Sequence, residues 1–175
     1  MTARARAIDT VDVLNDFIGD FVTGTMVLRE YSKQHNENKL PLELMIPTQK
    51  MCISYLVLAF AKFEEFWEHY HDLVPLENRD ACKAVLKIMR IRKITEFRNR
   101  AVGHIWDRKT KRPLKHSEIM SAIAAIATPD LTTFLDWVNN PAINAGTSTV
   151  VSMIETIRDS IASKHNIQPD EIVRR

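Results

Sequence analysis

The sequence predicts an all-α fold, an up-and-down bundle of five to six helices. Apolar residues recur at helical spacing over long stretches, with little of the alternation typical of strands. Glycine is scarce, with four in 175 residues. The 45% apolar and 26% charged residues are ordinary for a globular protein. We expect one domain over residues 1–175, with its core at about 8–138 and a C-terminal helix at about 148–164.

The first helix is predicted over residues 8–34, where apolar side chains fall mostly at helical spacing. Gly19 and Gly24 lower its intrinsic helix propensity, but either one allows a second helix to approach closely. The polar residues 35–39 then predict a loop.

The second helix is predicted over residues 48–72, after a connection punctuated by Pro41 and Pro47. Its first half is apolar nearly all round, which indicates burial on several sides. The very apolar run 51–61 is shorter than the ~20 residues that cross a bilayer. We therefore expect no membrane partner and a cytoplasmic location.

The third helix is predicted to run from residue 78 or 79 to about 102. Arg98 falls on its apolar stripe, four residues after Ile94 and seven after Ile91. An arginine there needs a paired charge or a solvent-filled pocket, or else extends its guanidinium into water. Gly103 predicts the end of this helix, where a turn would swing His104 back towards Arg98.

The last third of the chain predicts three shorter helices. A basic loop at 108–115 precedes a helix at 117–127. Thr128 is the expected N-cap of the next helix, which ends near Val138. The final helix covers 148–164.

The charge is unevenly distributed. Residues 83–115 hold twelve of the 24 Lys and Arg but only two of the 22 acids. A segment this basic favours a polyanion as partner, although a solvated helix face with a basic loop gives the same pattern. Cys52 and Cys82 lie in apolar helical contexts and are expected to be buried free thiols.

One Arg–His pair stands out by its surroundings. The chain holds three pairs with five or six intervening residues, so spacing alone carries little information. Only Arg98 is followed directly by asparagine, and only this pair has a small apolar run, residues 101–103, before its histidine, His104. It also lies in the basic segment.

These residues resemble the signature of HEPN domains, all-α proteins with an arginine, often a polar residue next, and a histidine after four to six intervening residues. The resemblance implies metal-independent cleavage of RNA, without cofactor or metal, commonly at two motifs that meet across a homodimer interface. Many such proteins act in toxin–antitoxin or phage-defence systems, which implies a possible antitoxin partner. Arg98 and His104 are then the catalytic candidates, with Asn99 as a supporting residue.

Other side chains are candidates for contact with RNA. Basic residues near the motif would attract the phosphate backbone without reading its sequence. Trp106 would stack a base or anchor the chain after the helix. The RNA-binding candidates are Lys93, Arg100, Trp106, Arg108, Lys109, Lys111 and Arg112.

Two alternatives remain at this stage. The first is a catalytically silent module, since some HEPN-like proteins are scaffolds that bind a protein or nucleic acid. The second is a helical bundle in which the motif arises by chance and Arg98 has only a structural role. Glu65 and His69 share a helix face, but a metal site would need a third ligand. A glutamate of that helix, Glu64, Glu65 or Glu68, is instead a possible ion-pair partner for Arg98.

Overall fold

The computed structural model describes residues 2–102, 106–107, 110–143 and 146–172, and it confirms the predicted all-α class. Two two-residue strands, β1 (Trp106–Asp107) and β2 (Arg112–Pro113), pair antiparallel. The described residues form seven α-helices: α1 (Ala3–Asn36), α2 (Leu42–Tyr70), α3 (Leu76–Ile91), α4 (Ile94–Phe97), α5 (His116–Ile126), α6 (Leu131–Val138) and α7 (Val150–Lys164).

The two long helices, α1 and α2, pack antiparallel along a line of aromatic contacts. Phe17 lies 6.0 Å from Phe63 between ring centroids, and Phe21 lies 4.6 Å from Phe60. Numbers rise along α1 as they fall along α2, which fixes the antiparallel direction. All four rings are buried. Rings of this size contribute a large share of the apolar area that stabilises the bundle.

Gly24 lies where these two helices pack closely. A Cβ at this position would lie 2.7 Å from Leu56 Cδ2 and 3.2 Å from Tyr55 Cδ1. A Cβ at Gly19 would meet nothing within 4 Å. The expectation that a glycine of the first helix permits close packing therefore holds for Gly24, whereas Gly19 faces solvent.

The remaining helices close the core around this pair. In α7, Arg158 donates to Asn15 of α1 at 3.2 Å. From α6, the Trp137 ring stacks on Phe60 with centroids 5.2 Å apart. Asn139, just after α6, donates to Thr25 in the buried interior.

The structure corrects two helix boundaries. The second helix starts at Leu42, not near residue 48, so Pro47 lies inside it. Pro47 is the sixth residue of α2, beyond the first turn, so the helix lacks the backbone hydrogen bond that another residue at this position would donate to the Glu43 carbonyl. The N-cap of α6 is Asp130, not Thr128, because the Asp130 carboxylate accepts from the Thr133 amide at 2.9 Å.

The predicted third helix is two helices, so the described residues form seven helices where five to six were expected. α3 ends at Ile91, and Lys93 adopts a left-handed conformation with φ of 56°. The Arg92 guanidinium donates to the carbonyls of Ile126 and Thr128, both at 2.5 Å, and lies over the Trp137 ring. These contacts hold the end of α3 against the corner between α5 and α6.

Among the described residues, α2 has the length and apolar composition of a membrane-crossing helix. Its buried residues include Cys52, Ile53, Leu56, Val57 and Phe60, and 39% of its apolar window is buried inside the bundle. The cytoplasmic location of the protein stays a prediction. Both cysteines are buried free thiols, and burial raises the pKa of Cys82 to about 12.

The two glycines of α1 give a matched test of the helix contact. We expect Gly24→Ala to lower the free energy of unfolding by about 1–3 kcal/mol, because the new methyl overlaps the buried Leu56 side chain. Gly19→Ala should raise it by about 0.5–1 kcal/mol, the ordinary gain in helix propensity. Urea unfolding of both variants checks this; stabilisation by both would contradict the proposed close approach.

Candidate functional site

The motif arginine begins an unusual turn. α4 continues into a π-helical turn over Arg98–Val102. Such turns are rare and often occur at functional sites, because the wider turn changes the direction of the side chains it carries. The helix therefore persists at least to Val102, close to the predicted end at Gly103.

Arg98 does not belong to a buried stripe, in contrast to the prediction. Ile94 is fully buried, but Ile91 is 69% exposed and Arg98 is exposed. The break at Lys93 rotates the two helices relative to each other, so helical spacing does not continue across it. Within the part of the chain that the structure describes, the guanidinium donates only to its neighbour, to Asn99 Oδ1 at 3.1 Å.

The Arg98 side chain lies at a pocket of about 220 Å³ formed mainly by α2, with Asp20 from α1. We call this the Arg98 pocket. It has an apolar part, formed by Leu58, Ala59 and Ala61, and a charged part. Its residues are Asp20, Tyr55, Leu58, Ala59, Ala61, Lys62, Glu65 and Arg98.

A small polar network fixes one wall of the Arg98 pocket. The Tyr55 hydroxyl donates to Asp20 Oδ1 in a short hydrogen bond, and Lys62 Nζ lies 3.5 Å from Asp20 Oδ2. The hydrogen bond to Asp20, with a smaller effect of burial, raises the pKa of Tyr55 to about 12. Tyr55 therefore stays protonated and donates to Asp20 throughout the physiological range.

The glutamates of α2 have different roles from the one expected. Glu64 accepts from Thr95 Oγ1 at 2.9 Å and ties α2 to α4. Glu65 lies in the Arg98 pocket but forms no ion pair with Arg98. Within the described residues, no three His, Cys, Asp or Glu side chains gather as metal ligands.

Two RNA-binding candidates lie away from the Arg98 pocket. Lys93 and Arg100 line a separate cavity of about 420 Å³ between α4 and α5. Arg100 is half-buried and its Nη1 lies 3.3 Å from Glu96 Oε1. The structure therefore brings these two residues together on the α5 side, whereas Arg98 faces α1 and α2.

Arg112 contributes to the start of α5. Its guanidinium forms two parallel bonds of 2.8 Å to the Glu118 carboxylate, which also accepts from the Lys115 amide at 2.8 Å. Arg112, followed by the backbone bond, lowers the pKa of Glu118 to about 2. Nearby, Lys111 is exposed in a left-handed conformation.

Several candidates lie outside the described residues. These are Gly103, His104, Arg108 and Lys109. Trp106 is described for its backbone only, which pairs with Pro113. The expected turn of His104 towards Arg98 therefore stays a prediction.

An exposed apolar row on α2 leads to the Arg98 pocket. We call it the α2 stripe: Leu44, Met51, Tyr55 and Leu58, which are 40–62% exposed. These positions recur at helical spacing, and Lys62 and Glu65 continue the same row. The sequence carries a signal for this row, since the first half of the second helix is apolar nearly all round, but that pattern predicts burial on several sides and does not show which side stays exposed.

Comparison with known proteins adds a fold relationship. No protein-family model matches the sequence, and no curated protein sequence matches it. The fold is similar to that of an integron cassette protein from the mobile metagenome of V. paracholerae, Vpc_cass2, with a TM-score of 0.77 and 21% identity. The match covers 93% of this chain and 99% of that one. At this identity the similarity shows a shared helical architecture and nothing about activity.

The Arg112–Glu118 pair predicts a pH-dependent contribution to stability. Because the folded pKa of Glu118 lies near 2, below its usual value of 4.5, the stabilisation is present above about pH 4.5 and is lost as the pH falls towards 2. We expect Glu118→Gln to lower the melting temperature at pH 7, with the difference from wild type vanishing near pH 2. Thermal unfolding across this range measures it. Glu77→Gln, an exposed change in the first turn of α3, is the control; a pH-independent difference for Glu118→Gln would contradict the assignment.

Proposed function

We propose that this chain is a metal-independent endoribonuclease of toxin–antitoxin or phage-defence type, with Arg98 and His104 as its catalytic pair. The observation that carries the proposal is the position of Arg98. It is an exposed arginine on a rare π-helical turn, beside a pocket, in the most basic segment of the chain.

The chemistry follows from the two side chains. A ribose 2′-oxygen attacks the adjacent phosphorus as its proton is removed, the bond to the 5′-oxygen breaks, and that oxygen gains a proton. The products are a 2′,3′-cyclic phosphate and a 5′-hydroxyl. His104 takes or gives a proton in this reaction, since imidazole titrates near neutral pH. Arg98 stabilises the charge that builds on the phosphorane oxygens with its fork of donors.

A second copy of the chain supplies the second acid–base group that the reaction needs. A single imidazole cannot serve as base and acid in the same step, so two motifs, one from each copy of a homodimer, are required. The α2 stripe offers the surface for this contact, because it is exposed, apolar and continuous with the Arg98 pocket. An isologous contact through the same stripe on both copies would border both pockets.

The remaining basic residues would contribute unequally to RNA binding. Lys93 and Lys111 are exposed. Arg100 is paired with Glu96 and Arg112 with Glu118, so each would first have to exchange a carboxylate for a phosphate. We expect Lys93 and Lys111 to contribute more to the salt dependence of binding.

The first test is cleavage of RNA in excess chelator. We expect wild-type protein to cut RNA under these conditions and to leave 2′,3′-cyclic phosphate ends. Arg98→Ala should lower the rate by about 10²–10³-fold, the usual cost of losing a donor that stabilises a transition state. His104→Ala should abolish cleavage.

The control for these variants is Arg90→Ala, which removes an exposed arginine of α3 away from the pocket. Circular dichroism shows whether each variant keeps its helical fold. Undiminished cleavage by folded His104→Ala would contradict its assignment. RNA binding without any cleavage by the wild type would instead favour the catalytically silent module.

A second test concerns the dimer. We expect Leu44→Glu and Met51→Glu, both outside the Arg98 pocket, to convert a dimer to monomers, because each places a charge in the apolar contact, and to lower the cleavage rate at the same time. Sedimentation and rate measurements check this. Leu76→Glu, a change at a position that is 74% exposed on α3, is the matched control. A wild-type monomer with full activity would contradict the shared site.

A further inference from the structure

The charged end of the Arg98 pocket has a pattern of its own. Two carboxylates, Asp20 and Glu65, lie in it with two cations, Lys62 and Arg98. The pocket is thus formally neutral. A phosphate placed inside it would gain no net attraction, because each cation is matched by a carboxylate. The pocket is therefore better suited to an uncharged group that carries both hydrogen-bond donors and acceptors.

The size and apolar part of the pocket suit a flat ring. A volume of about 220 Å³ is small for a pocket, and its apolar part consists of Leu58, Ala59 and Ala61. Single-stranded RNA is recognised through unstacked bases, which proteins hold by apolar contact and by hydrogen bonds to their edges. Next to a phosphate held by Arg98, the adjacent group is such a base.

The order of donors and acceptors along α2 selects among the four bases. Lys62 and Glu65 are three residues apart on α2 and therefore neighbours on its surface. Together they offer an ammonium donor beside a carboxylate with two acceptor oxygens. The Watson–Crick edge of guanine presents the complement, the O6 acceptor followed by the N1–H and N2–H donors. Adenine, cytosine and uracil each lack two adjacent donors on this edge.

The structure keeps Lys62 and Glu65 from satisfying each other. Lys62 Nζ is directed to Asp20 Oδ2 at 3.5 Å, and the Tyr55 hydroxyl holds the other Asp20 oxygen. Glu65 forms no hydrogen bond or ion pair with any described residue, and it is exposed. Its carboxylate is thus open to a ligand on the same helix face as the Lys62 ammonium.

We propose that the Arg98 pocket binds a guanine base of the RNA next to the cleaved phosphate, with Glu65 accepting from N1–H and N2–H and Lys62 donating to O6. This inference rests on the proposed ribonuclease function and adds its sequence preference. Asp20 and Tyr55 act as positioning residues, because they hold Lys62 and do not contact the base.

The experiment uses two separate readouts on the full chain. One is the cleavage rate of four RNA oligomers, each with a single G, A, C or U in an otherwise identical oligouridine. The other is the binding of guanosine 3′-monophosphate and its adenosine, cytidine and uridine counterparts, measured by calorimetry without any cleavage. We expect a preference of about tenfold or more for guanine in both, as for a bidentate base contact.

Matched variants assign the preference to the pocket. Glu65→Gln keeps the shape of the side chain but replaces one acceptor by a donor, so the guanine preference should disappear. Glu68→Gln, an exposed change one turn further along α2, should keep it. Lys62→Ala should weaken the preference, whereas Lys87→Ala on the exposed face of α3 should not.

The two readouts test the guanine site separately from the ribonuclease activity. RNA cleavage without guanine preference, or with a preference that survives Glu65→Gln, would overturn the pocket assignment and leave the ribonuclease intact. Absence of cleavage together with guanosine binding that Glu65→Gln removes would support the pocket and refute the ribonuclease. Absence of cleavage with equal binding of the four nucleotides would overturn both.

Discussion

The close antiparallel contact of α1 with α2 is the constraint on which the rest of the structure depends. A side chain at Gly24 would overlap the Leu56 side chain of α2 unless that side chain moved, so the glycine favours this close packing. The same contact places Asp20 of α1 beside Tyr55 and Lys62 of α2. The wall of the Arg98 pocket is therefore formed by the core packing of the bundle, and a shift of α1 along α2 would separate its polar groups.

The break between α3 and α4 orients the motif against this wall. Arg92 donates to two carbonyl groups at the end of α5 and just after it, and burial lowers its pKa without removing its charge. With α3 anchored there, the left-handed Lys93 redirects the chain so that α4 packs on α2 through Thr95 and Glu64. Arg98 then faces the Arg98 pocket, and Arg100 faces α5.

Much of the fold was predictable because long amphipathic helices carry their signal in many residues at once. The break at Lys93 was not predictable. In the sequence, apolar residues keep helical spacing on both sides of it, and lysine gives no local sign of a left-handed conformation. Pro47 suggested a boundary that the helix does not have. In the site, Arg98 and its basic setting were evident from the sequence. Asp20 and Tyr55 are 35 positions apart, so only the packing of the helices brings them together.

The π-helical turn also affects how this segment tolerates changes in length. Such a turn holds more residues than an α-helical turn, because its hydrogen bonds join residues i and i+5. Removing one residue from 99–102 would let this segment continue α4 with ordinary α-helical hydrogen bonds. The number of residues that follow Arg98 in this turn can therefore vary by one. Related chains can differ by one residue in this turn and still present the arginine from the same helix to the same pocket.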